Sequence, residues 1–207
     1  SWLRIHRKGT MVRLAAAERK QQLLKAARAS FLGSGPNGTT IRDIAAVAGV
    51  NEALIYRHFS SKEQMFEAAI VEPLIELMSQ LQSEARSLPV GTDDELVSFT
   101  KDFYRALLQT FSETIELFGM VLFSDRVAGR DFYTAHLAPF IDSVTETVSS
   151  NLNSWAHEDF DPKTVTTMGV GMCGGWTMDS YFREEPLDSE LTAEAITDIV
   201  FKGLLKR

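Results

Sequence analysis

Residues Thr40–Lys62 read TIRDIAAVAGVNEALIYRHFSSK, and this run predicts two short helices joined at a glycine. Thr40 has the hydroxyl that accepts from an orphan backbone N–H at a helix start, and Asp43 is a shortened form of the capping-box acid. Ile41, Ile44, Ala45 and Ala48 share one side of the first helix. Gly49 ends it, in the left-handed conformation that a side chain disfavours. Asn51 caps the second helix, whose buried side is Leu54, Ile55 and Phe59. Small Ala45, Ala46 and Ala48 let the two helices approach, and Val50 fills the angle between them. Two short helices meeting through a glycine-containing turn make a helix-turn-helix.

Upstream, Ala15–Leu32 is rich in good helix formers, with Leu23, Ala27 and Phe31 recurring every four residues and Leu24 widening the stripe. The glycines and proline of GSGPNG predict a stop at Gly33. Downstream, Ser60–Glu63 holds a second capping box opening a helix through about Arg86. Pro73 lies inside that run and predicts a bend there. Further helices are expected near Asp93–Thr110, Ser112–Ser124, Arg130–Trp155, Pro162–Arg183 and Leu191–Leu205. No strand-like alternation, internal repeat or low-complexity tract interrupts them. The expected fold is all-α, with about nine helices. An N-terminal three-helix helix-turn-helix domain (15–62) leads through a long helix into a larger helical bundle (63–207). Residues 1–14 are an N-terminal arm, or additions ahead of a start at Met11.

The chain has 207 residues and a net charge of −7, but the charge is divided. Residues 1–62 carry 11 Lys/Arg against 3 Asp/Glu, net +8, and residues 63–207 carry 10 against 25, net −15. A basic module on an acidic body fits nucleic-acid binding, as it also fits a cluster of solvated cations. One cysteine, Cys173, excludes an intrachain disulfide and fits a reducing cytoplasm. No window holds 18 uncharged apolar residues, so no membrane span is expected, and the basic N-terminus lacks the apolar core of a secretory signal.

The second helix of such a motif fits the major groove with its first residues at base edges. Thr39-Thr40-Ile41-Arg42-Asp43-Ile44-Ala45, Ala48-Gly49-Val50, Leu54-Ile55-Tyr56-Arg57-His58-Phe59 and Lys62-Glu63 together resemble the signature of the TetR family of bacterial transcriptional regulators. The resemblance covers Ala15–Ala69; beyond it only length and helical character agree. It implies a homodimer on a palindromic double-stranded DNA operator, and a divergent second domain that binds a small-molecule effector, the protein acting as a repressor. It places Arg42, Glu52, Ala53 and Arg57 at base edges, and Thr39, Thr40, Tyr56, His58 and Lys62 on phosphates. The chemistry agrees: arginine pairs with guanine O6/N7, glutamate accepts from cytosine N4, and Tyr56 and Lys62 donate to phosphate oxygens. Many members of the family carry a small hydroxyl residue where this chain has Leu54, so Leu54 is left outside the reading set.

The body is rich in methionine and aromatic residues, a pattern of ordinary core as well as of adaptable apolar sites. The resemblance implies a cavity there, with Met78, Phe103, Phe111, Met120, Phe123, Trp155 and Trp176 as candidate walls. Few charges fall on the inward stripes, which favours a hydrophobic, uncharged effector. Four glycines in Gly169–Gly175 would each cost about 1 kcal/mol relative to alanine inside a helix. Close approach of another helix offsets that. Because the family pairs its last two helices across the dimer, Gly171, Gly174 and Gly175 are assigned to that interface. The histidines lack metal-ligand spacing, and no nucleophile elbow or phosphate loop occurs, so no cofactor, metal or catalytic residue is expected. Two other classes fit parts of the pattern: a ligand-binding or interaction protein whose helix-turn-helix does not meet DNA, and a small helical enzyme using the apolar pocket.

Overall fold

The computed structural model describes residues 2–87, 92–152 and 159–204, with side chains described between Ala16 and Lys202. It divides into two compact units, Ser1–Pro73 and Leu74–Arg207. The described residues are helical, with no strand, and form eight helices when counted through two π turns.

In the first unit, α1 (Trp2–Gly38) starts well before the expected Ala15 and ends beyond Gly33. Its geometry breaks only at Gly35, whose φ of 70° and ψ of 169° are open to glycine and strained for other residues. Helices α2 (Ile41–Ala48), α3 (Glu52–Tyr56) and α4 (Lys62–Phe66) follow. Leu23, Ala27 and Phe31 of α1 are buried with Ile44, Ile55, Phe59 and Met65. Phe31 meets Phe66 edge-on at 5.1 Å between ring centres, fixing α1 against α4.

Pro36 follows the Gly35 kink in α1; two further prolines fall inside helical runs, and each of these follows a π turn. Glu67–Val71 is π-helical and leads into α5 (Glu72–Ala85), which contains Pro73. Tyr133–Leu137 is π-helical and leads into α8 (Ala138–Asn151), which contains Pro139. Proline lacks an N–H and its ring crowds the carbonyl four residues back, here Ala69 and Ala135, each in the middle of a π turn. The wider turn closes through Glu72 N–H to the Glu67 carbonyl in one case and Ala138 N–H to the Tyr133 carbonyl in the other. The bend expected at Pro73 is thus taken up as a local change of helical pitch.

The second unit is built on α6 (Asp93–Phe123), opened by a Thr92/Glu95 capping box. Two helices were expected here, breaking near Phe111, but α6 is continuous. Its length and composition would suffice to cross a bilayer. In this unit it is the central helix, burying Phe103, Tyr104, Leu107, Leu108, Leu117 and Phe118 and packing against α9 (Pro162–Arg183) and α10 (Ser189–Leu204). The expected break at Val127–Gly129 is helical instead. Asp125 accepts from the Val127 and Ala128 N–H groups and starts α7 (Arg126–Phe132), and Gly129 is buried where a Cβ would lie 2.2 Å from the Leu122 carbonyl oxygen. The glycine-rich Gly169–Gly175 stays within the unbroken α9.

Candidate functional site

The helix-turn-helix is built by its caps. Thr40 Oγ1 accepts from Asp43 N–H at 3.2 Å while the Asp43 carboxylate accepts from Thr40 N–H at 2.9 Å. These bonds, from the Thr40 hydroxyl first, hold the Asp43 carboxyl below the usual carboxylate range. Gly49 closes α2 in the left-handed region (φ 66°), with Val50 N–H reaching the Ala45 carbonyl at 3.0 Å. Asn51 Oδ1 then accepts from Leu54 N–H at 2.9 Å and starts α3. Gln22 of α1 donates to the Ala48 carbonyl at 3.1 Å, bracing the turn from behind. With Ile44, Ile55 and Phe59 buried and Val50 half-buried beneath, Arg42, Glu52, Ala53, Tyr56 and Arg57 are left exposed.

In the second unit, a part-open cavity of about 70 Å³ lies between α6, α8, α9 and the end of α5. Its walls include Phe99, Phe103, Val144 and Val148, with hydroxyls from Thr100, Tyr104, Thr147 and Thr166. Burial pushes the Tyr104 phenol well above its usual value, so it stays protonated and able to donate. Burial likewise pushes the neighbouring Cys173 thiol up to about 12, which leaves it unreactive. Among the described residues no group of His, Cys, Asp and Glu is arranged to hold a metal ion.

Residues 23–69 match the profile described as bacterial regulatory proteins, tetR family. An uncharacterized HTH-type transcriptional regulator, YhgD of Bacillus subtilis, is 26% identical over 90% of this chain and 97% of its own length. The HTH-type transcriptional repressor KstR2 of Mycolicibacterium smegmatis is 41% identical over 32% of each chain. A putative TetR-family regulator from Mesorhizobium loti superposes with a TM-score of 0.70 at 20% identity, covering 92% of this chain and 98% of that one. Residues 23–69 thus carry the DNA-binding domain of the TetR family. The chain's all-α fold is that of TetR-family transcriptional regulators.

Within this DNA-binding domain, two of the residues that the resemblance assigns to phosphates have structural duties. Thr39 is 1% exposed. Its hydroxyl meets the Ser30 carbonyl at 3.0 Å and the Gly35 carbonyl at 2.8 Å, and its N–H donates to Gly35 at 3.2 Å. With both donors engaged inside the unit, Thr39 is withdrawn as a phosphate contact. Lys62 is half-buried and donates to the Pro36 and Thr39 carbonyls at 2.8 and 3.1 Å. One of its three N–H groups remains for a phosphate. Thr40 is exposed, with its hydroxyl 2.6 Å from the Asp43 carboxylate; His58 is half-buried beside Phe59.

The expected cavity walls scatter. Phe103 lines the cavity; Met78 is buried in the core away from it. Phe111 packs edge-on against Phe118 at 5.8 Å, and it and Met120 are half-buried. Phe123 is 82% exposed and Trp176 is 46% exposed, so neither walls an enclosed space. Trp155 lies outside the described residues. Helical spacing places a residue on a face, but which faces enclose a void depends on the neighbouring helices. Two further walls were missed: Thr166, because threonine on a helix ordinarily reads as surface, and Tyr104, because an aromatic on an apolar stripe reads as ordinary core. The glycines divide similarly. A Cβ on Gly171 or Gly175 would meet nothing within 4 Å, and one on Gly174 would sit 3.8 Å from Phe111. The close approach is at Gly169, where a Cβ would lie 2.3 Å from the Tyr104 hydroxyl.

Proposed function

We propose that this regulator is a dimeric, effector-responsive repressor that binds a palindromic operator through residues 15–62 and carries effector binding and dimerisation in residues 63–207. The observation that carries the DNA reading is the exposed row of Arg42, Glu52, Ala53 and Arg57 on a capped helix pair whose opposite side is buried. Arg42 and Arg57 suit guanine edges, Glu52 suits cytosine N4, and Ala53 suits a thymine methyl. Tyr56, His58 and the remaining Lys62 donor suit the flanking phosphates; exposed Thr40 would have to turn its hydroxyl from the Asp43 carboxylate to join them. The role of repressor is supported by the match to KstR2 over the DNA-binding region.

Dimerisation is supported by the outer faces of the last two helices. Met168, Gly171, Gly175, Met178 and Phe182 are exposed along α9 at spacings of three and four, and Leu191 and Ile199 are exposed on α10. Such an apolar stripe on a water-facing surface suits burial against a second copy, and Gly171 and Gly175 are open to a close helix approach. In the dimer the reading helices would sit about one turn of DNA apart, about 34–36 Å. An effector binding the second unit releases the operator by favouring the differently spaced state, by its differential affinity and no more. An operator target places the protein in the cytoplasm.

A selection from random duplexes followed by gel-shift titration tests this reading. Recovered sites are expected to be palindromic, with affinity falling steeply as salt rises. Arg57→Ala should weaken binding and relax base preference, by about 1–3 kcal/mol. Tyr56→Phe should weaken binding to all sequences alike. Non-palindromic sites, or binding indifferent to salt and to both substitutions, would overturn it.

A further inference from the structure

We infer that Gln22 is a positioning residue for base reading: held by Arg19, its amide ties the Ala48 carbonyl at the α2–α3 turn and so sets how α3 presents its side chains to the groove. This rests on the operator reading of residues 15–62.

The first observation is how little else holds α3. It runs for five residues, Glu52–Tyr56, and fully buries only Ile55 among them. A helix of that length has no stability of its own, so its direction comes from its anchors. The Asn51 cap fixes its start through Leu54 N–H, a bond within three residues that leaves the angle to α2 open.

The second is the turn before it. The Gly49 and Val50 N–H groups reach back to the Ala45 and Ala46 carbonyls. The last carbonyls of a helix need partners from outside its own ladder. Ala48, the final residue of α2, finds one in Gln22 Nε2 at 3.1 Å, across 26 residues of sequence. The point from which α3 departs is thereby tied to α1.

The third is the chemistry of the link. Arg19 Nη1 donates to Gln22 Oε1 at 2.6 Å. Arginine only donates and the Ala48 carbonyl only accepts, so the side chain between them must accept at one end and donate at the other. An amide of glutamine length does both; a carboxylate lacks the donor and an ammonium lacks the acceptor. Arg19 and Gln22 are both exposed, so their part in the unit is this pair of bonds rather than burial. The fourth lies beyond α3, where Lys20 Nζ stands 5.9 Å from the centre of the Phe59 ring. One turn of α1 thus holds the reading helix from both ends.

The test uses the full chain and two duplexes, the palindrome recovered by selection and a scrambled duplex of the same length and composition. Fluorescence anisotropy titrations give the ratio of the two affinities, in which a change of net charge largely cancels. Releasing the turn lowers the share of molecules with α3 in the reading orientation. Gln22→Met and Gln22→Glu should therefore each cut the ratio about five- to tenfold, the worth of one hydrogen bond, and Gln22→Met should leave affinity for the scrambled duplex unchanged. Gln22→Lys restores a donor to Ala48 and should keep most of the ratio. Hydrogen exchange in the peptide spanning α3 should quicken in Gln22→Met and slow again in Gln22→Lys. A role in stability alone would move the melting temperature and leave the ratio as it is while every variant is folded. An undiminished ratio in Gln22→Met, a loss as large in Gln22→Lys, or a Gln22→Met chain that fails to fold would each overturn the inference, the last by making Gln22 a folding residue. A parent protein with no preference for any duplex refutes the operator reading and the inference with it. A parent preference that Gln22→Met retains refutes the inference alone.

Discussion

Lys62 Nζ donates to the carbonyl of Pro36 at 2.8 Å, across 26 residues of sequence. A second bond to Thr39 at 3.1 Å fixes the same ammonium over the segment that leads from α1 into α2. These carbonyls lie past the Gly35 kink, where helical bonding has lapsed, so the lysine supplies donors the backbone lacks there. Lys62→Met keeps most of the side chain and removes the donors. The variant should lose about 1–2 kcal/mol of stability, the range for a hydrogen bond to a charged group in a partly exposed setting. Urea unfolding monitored by circular dichroism measures it. A variant as stable as the parent that has lost only DNA affinity would show that the phosphate role dominates.

Gly169 and Tyr104 form a second tight pair. Gly169→Ala should destabilise by about 1–3 kcal/mol through overpacking, because the new methyl carbon would sit 2.3 Å from the phenol oxygen and 2.9 Å from Cζ. Tyr104→Phe removes the oxygen and leaves the ring, so the double variant should recover part of the loss. Additive losses in thermal melts would show that the two sites do not meet. Gly171→Ala, which meets nothing in its own chain, should not destabilise the protomer.

Helix α9 ends on Glu184 in the left-handed region (φ 56°), a conformation that Gly49 adopts without strain at the end of α2. A carboxylate at a helix C-terminus also opposes the helix dipole. Glu184→Gly should therefore stabilise the protein by about 0.5–1 kcal/mol, despite the greater freedom glycine has when unfolded. A lower melting temperature would contradict this account of the cap.

Glu190 joins α10 to α6 by accepting from Arg105 at 2.8 Å and Lys101 at 3.0 Å. Hydrogen bonds from Arg105 first, then Lys101, hold its pKa below the ordinary 4.5. The native state thus binds this proton less readily than the unfolded chain. The stabilisation is present above pH 4.5 and is lost as pH falls through the lower native value. Subtracting melting curves of Glu190→Gln from those of the parent should show a difference near neutrality that disappears in acid and shrinks in molar salt. A difference constant from pH 7 to pH 3 would remove Glu190 as its source.

The parts legible in the sequence are those decided within a few residues of the chain. The Thr40/Asp43 box, the Gly49 stop, the Asn51 cap and the buried side of Ile44, Ile55 and Phe59 depend on bonds and spacings inside one or two turns of helix. They define the helix-turn-helix and its exposed row before any tertiary contact is considered. Local reading failed where a distant partner decides the outcome. The expected break near Phe111 vanished because α6 gains more by burying its face against α9 and α10 than a local interruption would. Thr39 looked like a surface hydroxyl until the Ser30 and Gly35 carbonyls met it.

The sequence alone therefore determined the all-α fold and the helix-turn-helix with its exposed row, because caps, glycine conformations and helical periodicity are short-range effects. Tertiary structure decided which residues surround the cavity. It moved Phe123 and Trp176 to the surface, brought Tyr104 and Thr166 to one wall, and gave Gly169 its tight contact. A cavity is a volume left between elements far apart in sequence, and no single helix carries its outline.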